Sequence, residues 1–190
     1  MPTNLSLFSV TAVLILASDG SRVLAKYYNP PHSTTKSPYP TAKEQKVFEK
    51  GLHAKTVKSG GDVILYDNHV VVYKAESDVI MYVVGGLDEN ELMLFNVVLA
   101  LRDTLLLMLR NAVDKRTIAE HYDMVSLALE EMVDDGVILE TDPQLILQRV
   151  TKLPQSDIPN IKDIDLSEKG LLNAWEFGKK HFAEKLRQGL

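Results

Sequence analysis

No cysteine occurs anywhere in the 190 residues. That removes a disulfide framework and any thiolate metal site, and it favours a cytosolic address. Glycine-rich phosphate loops are missing as well. Gly60-Gly61 is not followed by Gly-Lys-Ser/Thr, and Gly85-Gly86 has no third glycine at dinucleotide-fold spacing, so both pairs read as turns. The five histidines, His32, His53, His69, His121 and His181, are scattered, with no pair at i, i+4 and no His-Glu-x-x-His; no metal or other cofactor is expected. There is no G-x-S-x-G elbow, so nothing local marks a nucleophile. The opening "MPTNLSLFSV" has neither a positively charged start nor a small-residue cleavage pattern and is not expected to be a signal peptide.

An excess of positive charge is also lacking, since the net charge is −5. It is unevenly spread: residues 1–60 carry 8 basic and 3 acidic residues, and the remainder 13 and 23. The acidic bulk excludes general nucleic-acid binding, which needs clustered lysine and arginine to displace counterions from phosphate. "TIAEHYDMVSLALEEMVDDGVILET" scans like a winged helix, but its would-be recognition helix carries four acids and would be repelled by DNA.

What is abundant is apolar helix. The stretch "LMLFNVVLALRDTLLLMLR", Leu92 to Arg110, holds 14 apolar residues in its first 18, yet Arg102 and Asp103 sit near its middle. Each would cost about 2.5–3.5 kcal/mol at a bilayer centre, so a membrane span is not expected. On a helical wheel Glu89, Asn96, Asp103 and Arg110 share one narrow stripe, while Arg102 and Thr104 lie off it. A helix apolar around the rest of its circumference must be covered on most sides.

The surrounding text reads as an α+β layer. "LFSVTAVLIL", a turn at Ser18-Asp19-Gly20, and "RVLAKYY" predict two strands, the first apolar on both faces and therefore central. The prolines of "NPPHSTTKSPYP" predict a loop, and "TAKEQKVFEKGLHAKTV" a helix with Val47, Phe48, Leu52 and Thr56 near helical spacing. "DVILYD", "HVVVYK" and "DVIMYVV" predict an antiparallel meander. The apolar helix follows, then a second with a stripe of Ile118, Tyr122, Val125, Leu129, Met132 and Val133 ending at Gly136, then a short helical piece in "DPQLILQRV". The order is ββαβββαα, a five-stranded antiparallel sheet covered by helices over residues 1–150. Residues 151–165, with two prolines and no apolar period, predict a linker. Residues 166–190 predict an amphipathic helix with Leu171, Trp175, Phe182 and Leu186 on one face and Lys179, Lys180, Lys185 and Arg187 beside it.

Two charged clusters invite chemistry. Glu130 with Asp134, and Glu131 with Asp135, are i, i+4 neighbours opposite the apolar stripe, which makes them a solvated or partner-facing surface rather than paired catalytic acids. Lys43, Lys46 and Lys50 form a basic helix face, diluted by Glu44 and Glu49; it reads as a solvated face, with contact to anionic lipid or an acidic partner as the alternative.

"LALEEMVDDGVILETD" and the opening hairpin "AVLILASDGSRVLAKYY" together resemble the small chains of the adaptor and coatomer complexes, and "NELMLFNVVLALRDTLLLMLRNAVDKRTIAEHYD" is similar to the zeta-type chains of coatomer. The resemblance spans residues 5–150. It implies a longin-like fold, no catalysis, and a permanent partnership with the trunk of the large gamma subunit. It also implies membership of the heptameric coat that Arf-family GTPases recruit to the cytosolic face of Golgi membranes, for Golgi-to-ER retrograde and intra-Golgi transport. A free-standing longin-type tethering or SNARE-regulatory subunit is the alternative. Aligned with the sigma chains of clathrin adaptors, two apolar positions of the dileucine-signal pocket fall on Arg102 and Thr117. A charged arginine there is a desolvation liability, so dileucine reading is not expected. The tail helix, through Leu171, Trp175, Phe182 and Leu186, is expected to dock on the large subunit or on the parent domain, since aromatic anchors dominate protein interfaces.

Overall fold

A computed structural model describes residues 7–29 and 39–151. The predicted linker and amphipathic helix, with Leu171, Trp175, Phe182 and Leu186, lie outside the described residues.

Two strands open the chain, β1 (Val10–Ala17) and β2 (Arg22–Tyr27), followed by helix α1 (Ala42–Thr56) and the meander β3 (Val63–Tyr66), β4 (His69–Glu76) and β5 (Val79–Gly86). They form one antiparallel sheet in the order β2-β1-β5-β4-β3. β1 is interior, as its apolar composition demands, but the centre belongs to β5, because the chain returns from the far edge to pair with β1. The β3–β4 turn is made by Asp67 and Asn68, both with positive φ (49° and 59°), the primed hairpin geometry that asparagine and aspartate tolerate.

Both sheet faces are covered, which is why the interior strands are apolar on both sides. On one face Phe48 and Leu52 of α1 pack on Ala12, Leu14, Leu16, Val71, Tyr82 and Val84. On the other, Val13, Ile15, Val72, Met81 and Val83 meet the apolar helix α2 (Glu91–Met108), which is flanked by α4 (Tyr122–Met132) and α5 (Pro143–Thr151). Asn90 caps α2 by accepting from the amides of Leu92 and Met93. The expectation that α2 must be covered on most sides is met by sheet, α4 and α5.

Three features differ from the sequence reading. The region read as one helix from Thr117 to Gly136 is two: α3 (Lys115–Glu120) and α4, separated at His121, whose φ and ψ (−117°, 31°) are not helical. Tyr122, counted in the apolar stripe, consequently turns outward and is half exposed. α4 also stops at Met132, and the text up to Ile138 becomes a miniature hairpin, β6 (Val133–Asp134) and β7 (Val137–Ile138). Its turn places Asp135 at φ 44° and Gly136 at φ 81°, so the Asp-Gly pair serves as a hairpin turn and not as a helix stop. Finally, of the four residues near helical spacing on α1, Val47 is exposed; the buried set is Phe48, Glu49, Leu52 and Thr56.

Candidate functional site

Among the described residues no group of histidine, aspartate or glutamate side chains is arranged to hold a metal ion, and no helix is long and apolar enough to cross a membrane. The features that remain are surfaces, and each is set by a local contact.

α2 keeps a polar strip with apolar interruptions on its outer side. Asn96 is exposed there and Asp103 is half-buried, but so are Leu92, 74% exposed, and Leu107, 42% exposed. Arg102 is half-buried and turns onto its neighbour Asp103, donating Nε at 2.9 Å and Nη2 at 2.7 Å to the same carboxylate oxygen. The charge is thus neutralised locally. Thr117 is not a free pocket wall either: its amide and hydroxyl both donate, at 2.9 Å, to the carboxylate of Asp114, the N-cap of α3. Those two hydrogen bonds, the amide's first, hold the Asp114 carboxyl below its ordinary value. Thr104, the other residue off the polar stripe, is fully buried, and its hydroxyl has no partner among the described residues.

The acidic cluster proves to be divided. Glu130 pairs with Lys26 of β2, and Glu131 with Arg149 of α5 at 3.4 Å, so these two carboxylates tie α4 to its neighbours. Asp134 and Asp135 sit in the β6–β7 hairpin, and behind burial they are the next cause that raises the Tyr28 phenol above its usual range. The hairpin is fastened to β1: the amides of Ser9 and Val10 both donate to the Gly136 carbonyl at 3.0 Å, and Phe8 bridges to Val137. The text from Met132 to Leu139 is therefore a structural clasp between β1 and α4.

α1 carries the most consequential revision. Thr41 and Glu44 form a reciprocal capping box, a Thr-x-x-Glu signal present in the sequence that the reading above did not use. Glu49, counted there as diluting the basic face, is 3% exposed and faces the sheet. It accepts from Arg22 at 2.9 and 2.6 Å and from the Tyr27 hydroxyl at 2.9 Å. Burial, and then the carboxylate, pushes the Tyr27 phenol far above its usual value. At the N-terminal end of α1 an open cleft of about 640 Å³ is lined by Tyr39, Thr41, Lys43, Glu44, Val47, Phe48, Tyr66 and Asp67. None of these arrangements pairs a nucleophile with a base.

The sequence model of the clathrin adaptor complex small chain family matches residues 9–157. The coatomer zeta subunit of Saccharomyces cerevisiae is 44% identical over 99% of this chain and 100% of its own length. Human coatomer zeta-1 is 45% identical over 81% of this chain and 82% of its own, and rice coatomer zeta-3 is 34% identical over 94% and 96%. The fold is similar to that of a chain in a homology model of the full-length AP-3 complex in a stretched open conformation, with a TM-score of 0.56 at 17% identity, covering 74% of this chain and 90% of that one. The five-stranded antiparallel sheet with its packed helices is a longin-like fold, and the chain belongs to the clathrin adaptor complex small chain family, among the coatomer zeta subunits.

Proposed function

We propose that this chain is a non-enzymatic structural subunit of the coatomer vesicle coat. In that reading it pairs with the trunk of the large gamma subunit, sits within the heptameric coat on the cytosolic face of Golgi membranes, and serves Golgi-to-ER retrograde and intra-Golgi transport. Recruitment by an Arf-family GTPase acts through the complex. The observation that carries the proposal is the 44% identity that runs the entire length of the yeast zeta subunit. Apolar side chains left in solvent on α2, Leu92 and Leu107, support it, because permanent interfaces are more apolar than ordinary surface. The organisation into a domain over 1–150, a linker over 151–165 and an amphipathic helix over 166–190 is part of the same proposal, with Leu171, Trp175, Phe182 and Leu186 offered as partner-contacting residues.

The test is co-purification of the tagged full chain followed by mass spectrometry. Gamma and the other coatomer subunits at equal stoichiometry are expected. Recovery of tethering factors instead would replace this reading with the longin-type tethering alternative.

A further inference from the structure

With Glu49 turned into the sheet, the outward face of α1 is a different object from the one the sequence describes. Phe48, Leu52 and Thr56 mark the buried side. At about 100° per residue, the opposite side carries, within an arc of about 120°, Lys43, Lys46, Val47, Lys50, Ala54, Val57 and Lys58. The helical backbone continues through Val57, whose φ and ψ are −58° and −26°, so Val57 and Lys58 stay in line. All seven are exposed, and no acid falls in the arc. None of the four lysines takes part in an ion pair among the described residues. The carboxylates of Glu44, Glu49 and Asp67 are all occupied: Glu44 by the cap at Thr41, Glu49 by Arg22 and Tyr27, and Asp67 by the Tyr39 hydroxyl at 2.6 Å. The result is a straight row of lysines and small aliphatics about 22 Å long.

The geometry points to this row as a direct electrostatic contact with the anionic headgroups of a phospholipid membrane. The alternative occupant, an acidic protein, fits less well. Protein interfaces are depleted in lysine and are anchored by tryptophan, tyrosine and arginine, none of which lies in the arc. Lysine is a hydrated point charge on a flexible stem, suited to a surface of many interchangeable phosphates, and Val47 and Val57 are shallow enough to rest at the headgroup level without inserting. α1 covers the sheet face opposite α2, so α2 and the surfaces beside it remain open to a protein partner while α1 meets lipid. The contact does not depend on the gamma pairing proposed above.

Each lysine near such a surface strengthens partitioning about fivefold, and four lie at the low end of what electrostatic anchoring uses. Binding by the full chain alone is therefore weak and salt-sensitive. The experiment is flotation of the full chain with phosphatidylserine-containing vesicles and with pure phosphatidylcholine vesicles, at about 0.1 M and about 0.5 M salt, where the screening length shrinks from about 10 Å to a few ångströms. Wild type is compared with K43Q/K46Q/K50Q/K58Q and with R110Q/K115Q/R116Q/R149Q, which removes equal charge elsewhere; melting of all three is followed to exclude unfolding. The expected result is preference for the anionic vesicles at low salt, weakened at least tenfold in the α1 variant and within threefold of wild type in the other. Equal loss in both variants, unchanged binding in the α1 variant, or no preference for anionic vesicles overturns the proposal, the last of these also being what an acidic-protein occupant predicts.

Discussion

Arg22 of β2 and Glu49 of α1 meet through two parallel hydrogen bonds, Nε to Oε2 at 2.9 Å and Nη2 to Oε1 at 2.6 Å, and the Tyr27 hydroxyl adds a third to the same carboxylate. This fork fastens the helix to an edge strand across 27 residues of chain. Removing only the carboxylate takes the main acceptor from a half-buried guanidinium and a half-buried phenol, so Glu49→Ala is expected to cost about 1–3 kcal/mol in chemical denaturation. Replacing all three partners, as in R22M/Y27F/E49L, leaves nothing stranded, and stability within about 1 kcal/mol of wild type is expected.

Gly136 is held by conformation and by space. Its φ is 81°, and a Cβ there would lie 2.6 Å from the Val10 carbonyl oxygen and against the Phe8 ring. Gly136→Ala is therefore expected to lose about 3 kcal/mol, combining a left-handed penalty of about 1–2 kcal/mol with overpacking. Gly60→Ala, where a Cβ meets nothing within 4 Å, is the control and should melt within about a degree or two of wild type.

Asp114 caps α3 with a carboxyl held below its ordinary value of 3.8 by the amide and hydroxyl of Thr117. A depressed folded-state value means that the charged form stabilises the fold above the ordinary carboxylate range, and that this contribution disappears as pH falls through the folded value. The melting temperature of Asp114→Ala should thus lie below wild type at pH 7, with the gap closing below about pH 4. Asp114→Asn, an acceptor without a titrating charge, removes the same titration, so its gap to wild type should shrink over the same range, while the difference between the Asn and Ala variants stays constant.

Dileucine recognition gives a third kind of test. Arg102 is satisfied by Asp103, and Thr117 by Asp114; accommodating two leucines would require breaking one or both arrangements. A fluorescent acidic-dileucine peptide is expected to show no saturable anisotropy change with the full chain, alone or in the gamma heterodimer proposed above, and saturation in the micromolar range would refute the assignment of these positions.

Truncation at Ser167 removes Leu171, Trp175, Phe182 and Leu186 together. The expected outcome is an intact fold by circular dichroism with weaker coat assembly in co-purification. If assembly and melting are unchanged and only vesicle flotation falls, these residues serve the membrane instead of the partner.

The α+β class, the meander, the two long helices and the need to cover α2 were all legible from periodicity, because burial of a face imposes a repeat that is local in the chain. The clasp was partly legible. Asp135-Gly136 is a hairpin signal, but the apolar stripe through Met132 and Val133 masked it, and only the pairing with Phe8, Ser9 and Val10, far away in sequence, decides that the chain turns there. The side chain of Glu49 was not legible at all. On a wheel it stands at the border of the buried arc, and the sequence alone shows a charge among lysines. That it points inward is decided by Arg22 and Tyr27 on a strand brought alongside by the fold, since a buried charge is tolerated only where a partner waits. The same tertiary fact leaves Lys43, Lys46, Lys50 and Lys58 as an undiluted row. Composition sets how many charges a surface can have, while long-range pairing decides which of them reach it.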